Sequence, residues 1–270
     1  MGVAVQVFGH RGAPAYRPEN TLESIELAFA MGVDAIECDI VPTKDGHLVL
    51  RHEADIRETT NVLSHPEFAE RHQTTELSLD ELQQLRAIER VPQWRPGSAK
   101  FDGLFAVPTL TSLLESEMVL GKTLILEVKD APIFKDLGID IVSLFANEVE
   151  ASGIANRANV FVEAFEWETL DALRARLGNK FPLFYGMEEW DEEHAFNYDG
   201  VSLDFQLIRR MPEIVARAKD KGLPVWGFTA RVEWAENSVE EYLHKLIETG
   251  VDAIFADHPD LLLSYVKGLA

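Results

Sequence analysis

Short apolar, β-branched runs alternate with amphipathic helical patterns along this chain, and that alternation restricts the fold more than any other feature. The strand-like runs lie at 3–9, 34–41, 123–128, 159–164, 182–186, 200–204, 224–229 and 253–257. Helix-like segments fall between or after them, at 21–31, 110–117, 137–152, 169–177, 192–196, 207–221, 239–249 and 260–267. Gly32, Gly153, Gly178, Gly222 and Gly250 follow five of these, where a left-handed residue ends a helix. Eight β-α units within 270 residues predict an α/β fold, a TIM (β/α)8 barrel. A doubly wound open sheet is the alternative, but it carries fewer strands and often a glycine-rich phosphate loop, and neither G-x-G-x-x-G nor a P-loop motif occurs.

One interval interrupts the rhythm. Residues 53–107, after the second strand, hold a helical piece near 79–88 and a Pro/Gly-rich run at 91–103. An insertion after a barrel strand falls on the C-terminal face, where active sites are built, so it reads as a lid-like part of a single 1–270 domain. Charge narrows the partners. The chain has 25 Lys+Arg against 46 Asp+Glu, a formal net charge of −21, which opposes nucleic acid and anionic membranes but leaves room for an anionic small molecule at a locally basic or metal-bearing cleft. The lone cysteine, Cys38, excludes an internal disulfide framework and a Cys-based zinc site. Residues 1–10 lack the pattern of a signal peptide, and no run approaches the roughly 18 apolar residues of a membrane span. A cytoplasmic protein without stable membrane insertion is expected.

Four groups of residues carry chemistry. In Glu37-Cys38-Asp39 on the second strand, alternation turns both carboxylates to one face and Cys38, with Ile36 and Ile40, to the helix-covered face. Paired inward carboxylates need a neutralising proton or cation, the latter either a hard divalent ion or a Lys or Arg partner. Glu127 and Lys129 share a face at the end of the third strand; Glu127 could complete a three-carboxylate site and Lys129 could hold a phosphate oxygen, or the two could simply pair. His10-Arg11-Gly12 ends the first strand and offers a proton carrier, a bidentate anion fork and close backbone approach. Lys44-Asp45-Gly46 signals a turn that returns the run 48–52, and with it His52, to the same mouth.

These segments resemble the glycerophosphodiester phosphodiesterase family. The matches are His10-Arg11-Gly12, Pro18-Glu19-Asn20-Thr21, Glu37-x-Asp39, Asp45-Gly46-x-x-Val49-x-x-His52, Val107-Pro108-Thr109-Leu110, Leu126-Glu127-Val128-Lys129 and the closing run from Gly250 to Asp260. The resemblance implies a TIM barrel that hydrolyses glycerophosphodiesters to glycerol 3-phosphate and an alcohol. It implies one divalent cation, Mg2+ or Ca2+, on Glu37, Asp39 and Glu127, with His10 and His52 as general base and acid. It further implies Arg11, Glu19 and Lys129 at the phosphate, and Phe228 over the substrate. Other readings are a phospholipase D-like enzyme of lysophospholipids, with Phe68, Trp94, Phe101 and Phe105 around an acyl chain, a non-catalytic phosphodiester-binding barrel, and a barrel isomerase or aldolase that would work in EDTA.

Departures concern the substrate more than the reaction. His52 is followed by Glu53 where the family often has Asp, and Phe228-Thr229-Ala230-Arg231 stands for its W-T-V-N. Glu163 replaces a small polar residue and reads either as negative charge at the mouth or as an outward ion-pairing side chain. Pro92, Trp94, Pro96 and Trp190 read as loop packing or, alternatively, as a rim that selects the alcohol, 188–193 as a solvated acidic turn, and His65, His72, His194, His244 and His258 as surface or loop residues without partners.

Overall fold

The structure is a computed structural model that describes residues 5–68 and 70–269. Its strands are β1 (Gln6–Gly9), β2 (Ala35–Pro42), β3 (Leu48–Leu50), β4 (Thr123–Val128), β5 (Asn159–Ala164), β6 (Leu183–Met187), β7 (Gly200–Asp204), β8 (Val225–Ala230) and β9 (Ala253–Ala256). They run in the order β1-β9-β8-β7-β6-β5-β4-β2-β3, and β1 also pairs with β2. That last pairing closes an eight-stranded parallel barrel, with β3 antiparallel on β2 outside the ring. The eight expected strands are these, displaced by a residue or two at their ends; the first part of the run at 3–9 lies outside the described residues.

Period-two alternation sorts each strand into two faces. Ile36, Cys38 and Ile40 of β2, with Leu124, Leu126 and Val128 of β4, join the main core between sheet and helices. Inside the ring, Phe8, Ala35, Ile125, Phe184, Trp226, Ala253 and Phe255 form a second cluster, with Phe161 and Phe228 against it. Trp226 stacks on Phe184 at 3.5 Å between ring centroids, and Phe8 meets it edge-on at 5.2 Å. Gly200 makes room for this plug, since a Cβ there would lie 2.1 Å from Phe184 Cε1. The barrel is therefore solid below and polar above.

Several helices differ from the sequence pattern for local reasons. The segment expected at 207–221 splits into Phe205–Arg210 and Glu213–Asp220, because Pro212 has no N–H to donate and disfavours helix at Met211. The one expected at 137–152 begins only at Ile141, and a separate helix Ala131–Asp136 ends at Gly138, where φ is 80°. Residues 192–196 form turns, and the helical piece at 79–88 shrinks to Leu79–Leu82, opened by a Ser78–Glu81 capping box. The rest of 53–107 is short 3₁₀ turns and isolated bridges, yet Ile56, Val62, Phe68, Leu77, Leu82 and Leu85 pack into the main core. Among the described residues, no helix is long and apolar enough to cross a membrane.

Candidate active site

Two residues beyond the aromatic plug, the inward face becomes polar. Stepping along β1 leads from Phe8 to His10, along β2 from Ala35 to Glu37 and Asp39, along β4 from Ile125 to Glu127 and Lys129, along β5 from Phe161 to Glu163, and along β9 from Phe255 to Asp257. The turn after Lys44-Asp45-Gly46 forms as expected, with φ at Gly46 of 81°, and β3 returns the chain so that His52 joins them. His10, Arg11, Glu19, Glu37, His52, Glu127, Lys129 and Phe228 all line one cavity of about 560 Å³. Asp39 lies just beneath its wall, 1 % exposed. All nine expected site residues thus converge.

The acidic centre is built by backbone geometry as much as by side chains. Arg11 and Asn20 are non-glycine residues at positive φ, 54° and 55°. The turned Arg11 backbone donates its N–H to Glu37 Oε2 at 2.9 Å. Asn20 clamps Asp39 twice, donating from Nδ2 to Oδ2 at 2.8 Å and accepting from the Asp39 N–H at 3.2 Å. Gly12 is forced, because at φ 89° a Cβ would stand 2.6 Å from the Ser24 backbone. Fully buried Arg51 donates to the Glu19 carbonyl at 3.1 Å and so anchors the same loop. Carboxylate oxygens of Glu37, Asp39 and Glu127 lie within 4.8 Å of one another.

A divalent cation fits this trio. Glu37 Oε1 and Asp39 Oδ1 are buried and lack any hydrogen-bond partner, and oxygen donors suit a hard ion. Burial, then Asp39 and Glu127, push the Glu37 carboxyl well above its ordinary range. Burial also pushes Glu127 up, to about 8, against the pull of Lys129, whose Nζ stands 2.6 Å from it. Asp39 goes the other way: burial opposes ionisation, but Arg11, His52 and Lys129 together hold it well below the usual carboxylate range. Arg11 Nε is 3.1 Å from Asp39, and Lys129 Nζ is 3.7 Å away.

Each histidine has a carboxylate on Nδ1. His10 Nδ1 lies 2.5 Å from Asp257 Oδ1, and His52 Nδ1 lies 2.5 Å from Glu53 Oε1. Nδ1 of each ring then carries the proton, and Nε2 is left as the free lone pair. Two arginines of the 53–107 segment reach the same carboxylates. Arg90 grips Glu53 at 2.8 and 3.0 Å and Glu19 at 2.7 and 2.8 Å. Arg95 grips Glu233 Oε1 at 2.5 Å and bonds Asp257 Oδ2, which also accepts from Arg231 Nε at 3.0 Å. Burial and the neighbouring Arg11 lower the pKa of both histidines, His10 to about 4.

The sequence profile of the glycerophosphoryl diester phosphodiesterase family matches residues 10–261. The chain belongs to that family. It is accordingly an enzyme of the phosphoric diester hydrolase class. It is 26% identical over 269 residues to a glycerophosphodiester phosphodiesterase of Caldanaerobacter subterraneus subsp. tengcongensis, covering 97% of each chain. It is 26% identical over 277 residues to a glycerophosphodiester phosphodiesterase of Bacillus subtilis, covering 98% of this chain and 87% of that one. A solved structure from Silicibacter pomeroyi DSS-3 superposes with a TM-score of 0.81 at 25% identity, covering 100% of this chain and 95% of that one. An Oleispira antarctica phosphodiesterase, solved in complex with the product sn-glycerol-3-phosphate, superposes with a TM-score of 0.75 at 22% identity, covering 97% and 96%.

Some residues stand differently from their sequence reading. Glu163 is inward and 2 % exposed, not an outward ion-pairing residue, and burial raises its pKa to about 7. Trp94 takes the rim position and not the packed one, lining the cavity at 59 % exposure. Of the four aromatics expected to share an acyl chain it is the only one there: Phe68 is buried in the core, and Phe101 stacks on Phe105 beneath Arg17. The five histidines expected to lack partners each face a carboxylate; His194 bonds Asp191 at 2.9 Å and stacks on Trp167, and His258 stands 3.6 Å from Glu233. The acidic turn is not wholly solvated: Glu189 and Glu192 pair with Arg210 and Arg217, and Glu188 lines the cavity. Sequence reading missed Asp257, Glu53, Arg90 and Arg95. For Asp257 a signal existed, because alternation from an inward Phe255 turns it into the mouth.

Proposed function

We propose that this chain hydrolyses glycerophosphodiesters to glycerol 3-phosphate and an alcohol, with one divalent cation, Mg2+ or Ca2+, on Glu37, Asp39 and Glu127. The observation that carries this reading is the meeting, in one cavity, of a carboxylate trio with unpartnered buried oxygens and two histidines whose Nδ1 atoms are both held by carboxylates. The bound cation would act as a Lewis acid on the phosphate oxygens. Arg11 and Lys129 lie beside the trio and supply fixed positive charge for the equatorial oxygens as charge grows in the transition state. Glu19 sets the Arg11 fork through a 3.0 Å contact, and Phe228 walls the substrate on the β8 side.

Proton transfer falls to the histidines. The P–O bond to the alcohol breaks as a new P–O bond forms on the opposite face. One histidine takes the proton of the attacking oxygen at Nε2, and the other returns a proton to the departing alcohol. The anionic phosphate favours a protonated imidazole, offsetting the burial that otherwise keeps both rings neutral. The family name of the relatives and the product held by the Oleispira antarctica structure support the substrate class. The segment 53–107 serves in this reading as a cover that brings Arg90, Trp94 and Arg95 to the mouth.

Single substitutions test the roles. His10→Ala and His52→Ala are each expected to lower kcat by roughly 10²–10⁴-fold, with circular dichroism and melting temperature close to wild type. A variant that folds and turns over glycerophosphocholine at the wild-type rate would remove that histidine from the mechanism.

A further inference from the structure

We propose that Arg90 and Arg95 are positioning residues that orient both histidines through the carboxylates they grip, Arg90 through Glu53 to His52 and Arg95 through Asp257 to His10. The proposal rests on the diesterase reading for its kinetic arm only. The two chains of contact have the same construction. Each runs from a guanidinium of the 53–107 segment to a carboxylate, and from that carboxylate to an imidazole Nδ1. The two arginines are five positions apart in sequence, yet their carboxylates come from opposite ends of the chain, beside β3 and after β9. A segment that served only to cover the mouth would have no need to address both imidazole partners.

The His10 arm is the more rigid. The His10 N–H donates to the Ala256 carbonyl at 3.2 Å, and the Asp257 N–H donates to the Ala230 carbonyl at 3.0 Å, so both backbones are fixed by neighbouring strands. Asp257 is 2 % exposed and accepts from three side chains: His10 on Oδ1, and Arg95 and Arg231 on Oδ2. With both arginines on one oxygen, the carboxylate cannot rotate away from the imidazole without abandoning them. Arg95 is in turn fixed by Glu233 and is itself 6 % exposed. The His52 arm is wetter, since the Glu53 side chain is 40 % exposed, and water screens its contacts. Arg90 compensates with four charge-assisted bonds, two to Glu53 and two to Glu19. A larger effect is therefore expected on His10.

Proton on Nδ1 and lone pair on Nε2 is the form the base requires, the acid is the same ring with a second proton on Nε2, and a carboxylate on Nδ1 favours both by holding the Nδ1 proton. An Asn in place of Asp257 offers an amide N–H that selects the opposite tautomer. Nitrogen-15 spectra of histidine-labelled protein read this directly, with the His10 and His52 signals identified by their loss in His10→Gln and His52→Gln. In wild type both rings should be protonated at Nδ1. Asp257→Asn should move His10 to the Nε2-protonated form and lower kcat by roughly 10²–10⁴-fold, with KM within about threefold of wild type. Arg95→Met should shift the His10 signals and lower kcat by roughly 10–100-fold, and combined with Asp257→Asn it should add almost nothing. Arg90→Met should shift His52 alone.

Should Asp257→Asn fail to fold, Arg95→Met decides. Unmoved His10 signals in a folded Arg95→Met protein would overturn the proposal, and so would a kcat loss without a change at His10, which would mark Arg95 as merely structural. Full additivity of the two substitutions would overturn it as well. If wild type cleaves no glycerophosphodiester, the functional reading fails, while the spectra still report whether Arg95 and Asp257 govern His10.

Discussion

At the scale of the residue, the mouth works by holding groups away from their ordinary protonation. Burial and Arg11 hold His10 down at about 4, against the upward pull of Asp257; Arg231 adds to the lowering. The folded protein thus resists protonating His10 at a pH where the unfolded chain, near 6.5, already accepts the proton. His10 therefore withdraws stability as pH falls below 6.5, and this continues until about 4. Were His10 the base of the proposed pair, its lone pair would stay available over the same interval. The acid limb of kcat/KM is expected below the ordinary histidine range, and a limb centred at 6.5 would contradict that environment for His10. Glu37→Gln should weaken divalent-cation binding by about 10–100-fold or more in calorimetry, because it neutralises one oxygen donor of the trio. Cys38→Ser or Cys38→Ala should bind the cation and turn over as wild type, since Cys38 faces the helices. The meeting of Glu37, Asp39 and Glu127 was legible because strand alternation ties each to a face, and that of His10 and His52 because one follows a strand end and the other follows the hairpin turn. Arg90, Arg95 and Glu53 were not, because they meet their partners across irregular chain where no period fixes direction.

At the scale of the element, β-strands were read nearly to the residue and helices less well. A strand's apolar run ends where the barrel does, but a helix ends on local chemistry: Pro212 divides one expected helix, and Gly138 closes the helix before Ile141. The 53–107 segment follows β3 and brings Arg90, Trp94 and Arg95 to the cavity, while its interior of 3₁₀ turns and bridges left no period to read. The strands also have an inner requirement that the sequence pattern hides. Gly200 faces the Phe184–Trp226 stack, so Gly200→Ala should cost about 1–3 kcal/mol by forcing the rings apart, measured by urea denaturation. An unchanged denaturation midpoint would mean that the plug has slack this structure does not show.

At the scale of the whole molecule, the barrel reconciles a net charge of −21 with an anionic substrate class. The basic residues at the mouth are spent locally: Arg11 on Glu19 and Asp39, Arg90 on Glu19 and Glu53, Arg95 and Arg231 on Asp257. Attraction for a phosphodiester then depends on neutralising the carboxylate trio, which is what the proposed cation would do. At equal concentration, divalent cation should accordingly raise the melting temperature of wild type more than that of Glu37→Gln. The fold class was legible from eight β-α units alone; the family came from the ordered block between His10 and His52; the coupling of the inserted segment to the histidines needed three dimensions. The most direct test of the account is glycerol 3-phosphate release from glycerophosphocholine, followed by coupled assay on protein stripped with EDTA and then supplied with Mg2+, Ca2+ or Mn2+ in turn. The account predicts no release from the stripped protein and release restored by at least one of these ions. Undiminished release from the stripped protein, or none with any ion, would contradict it.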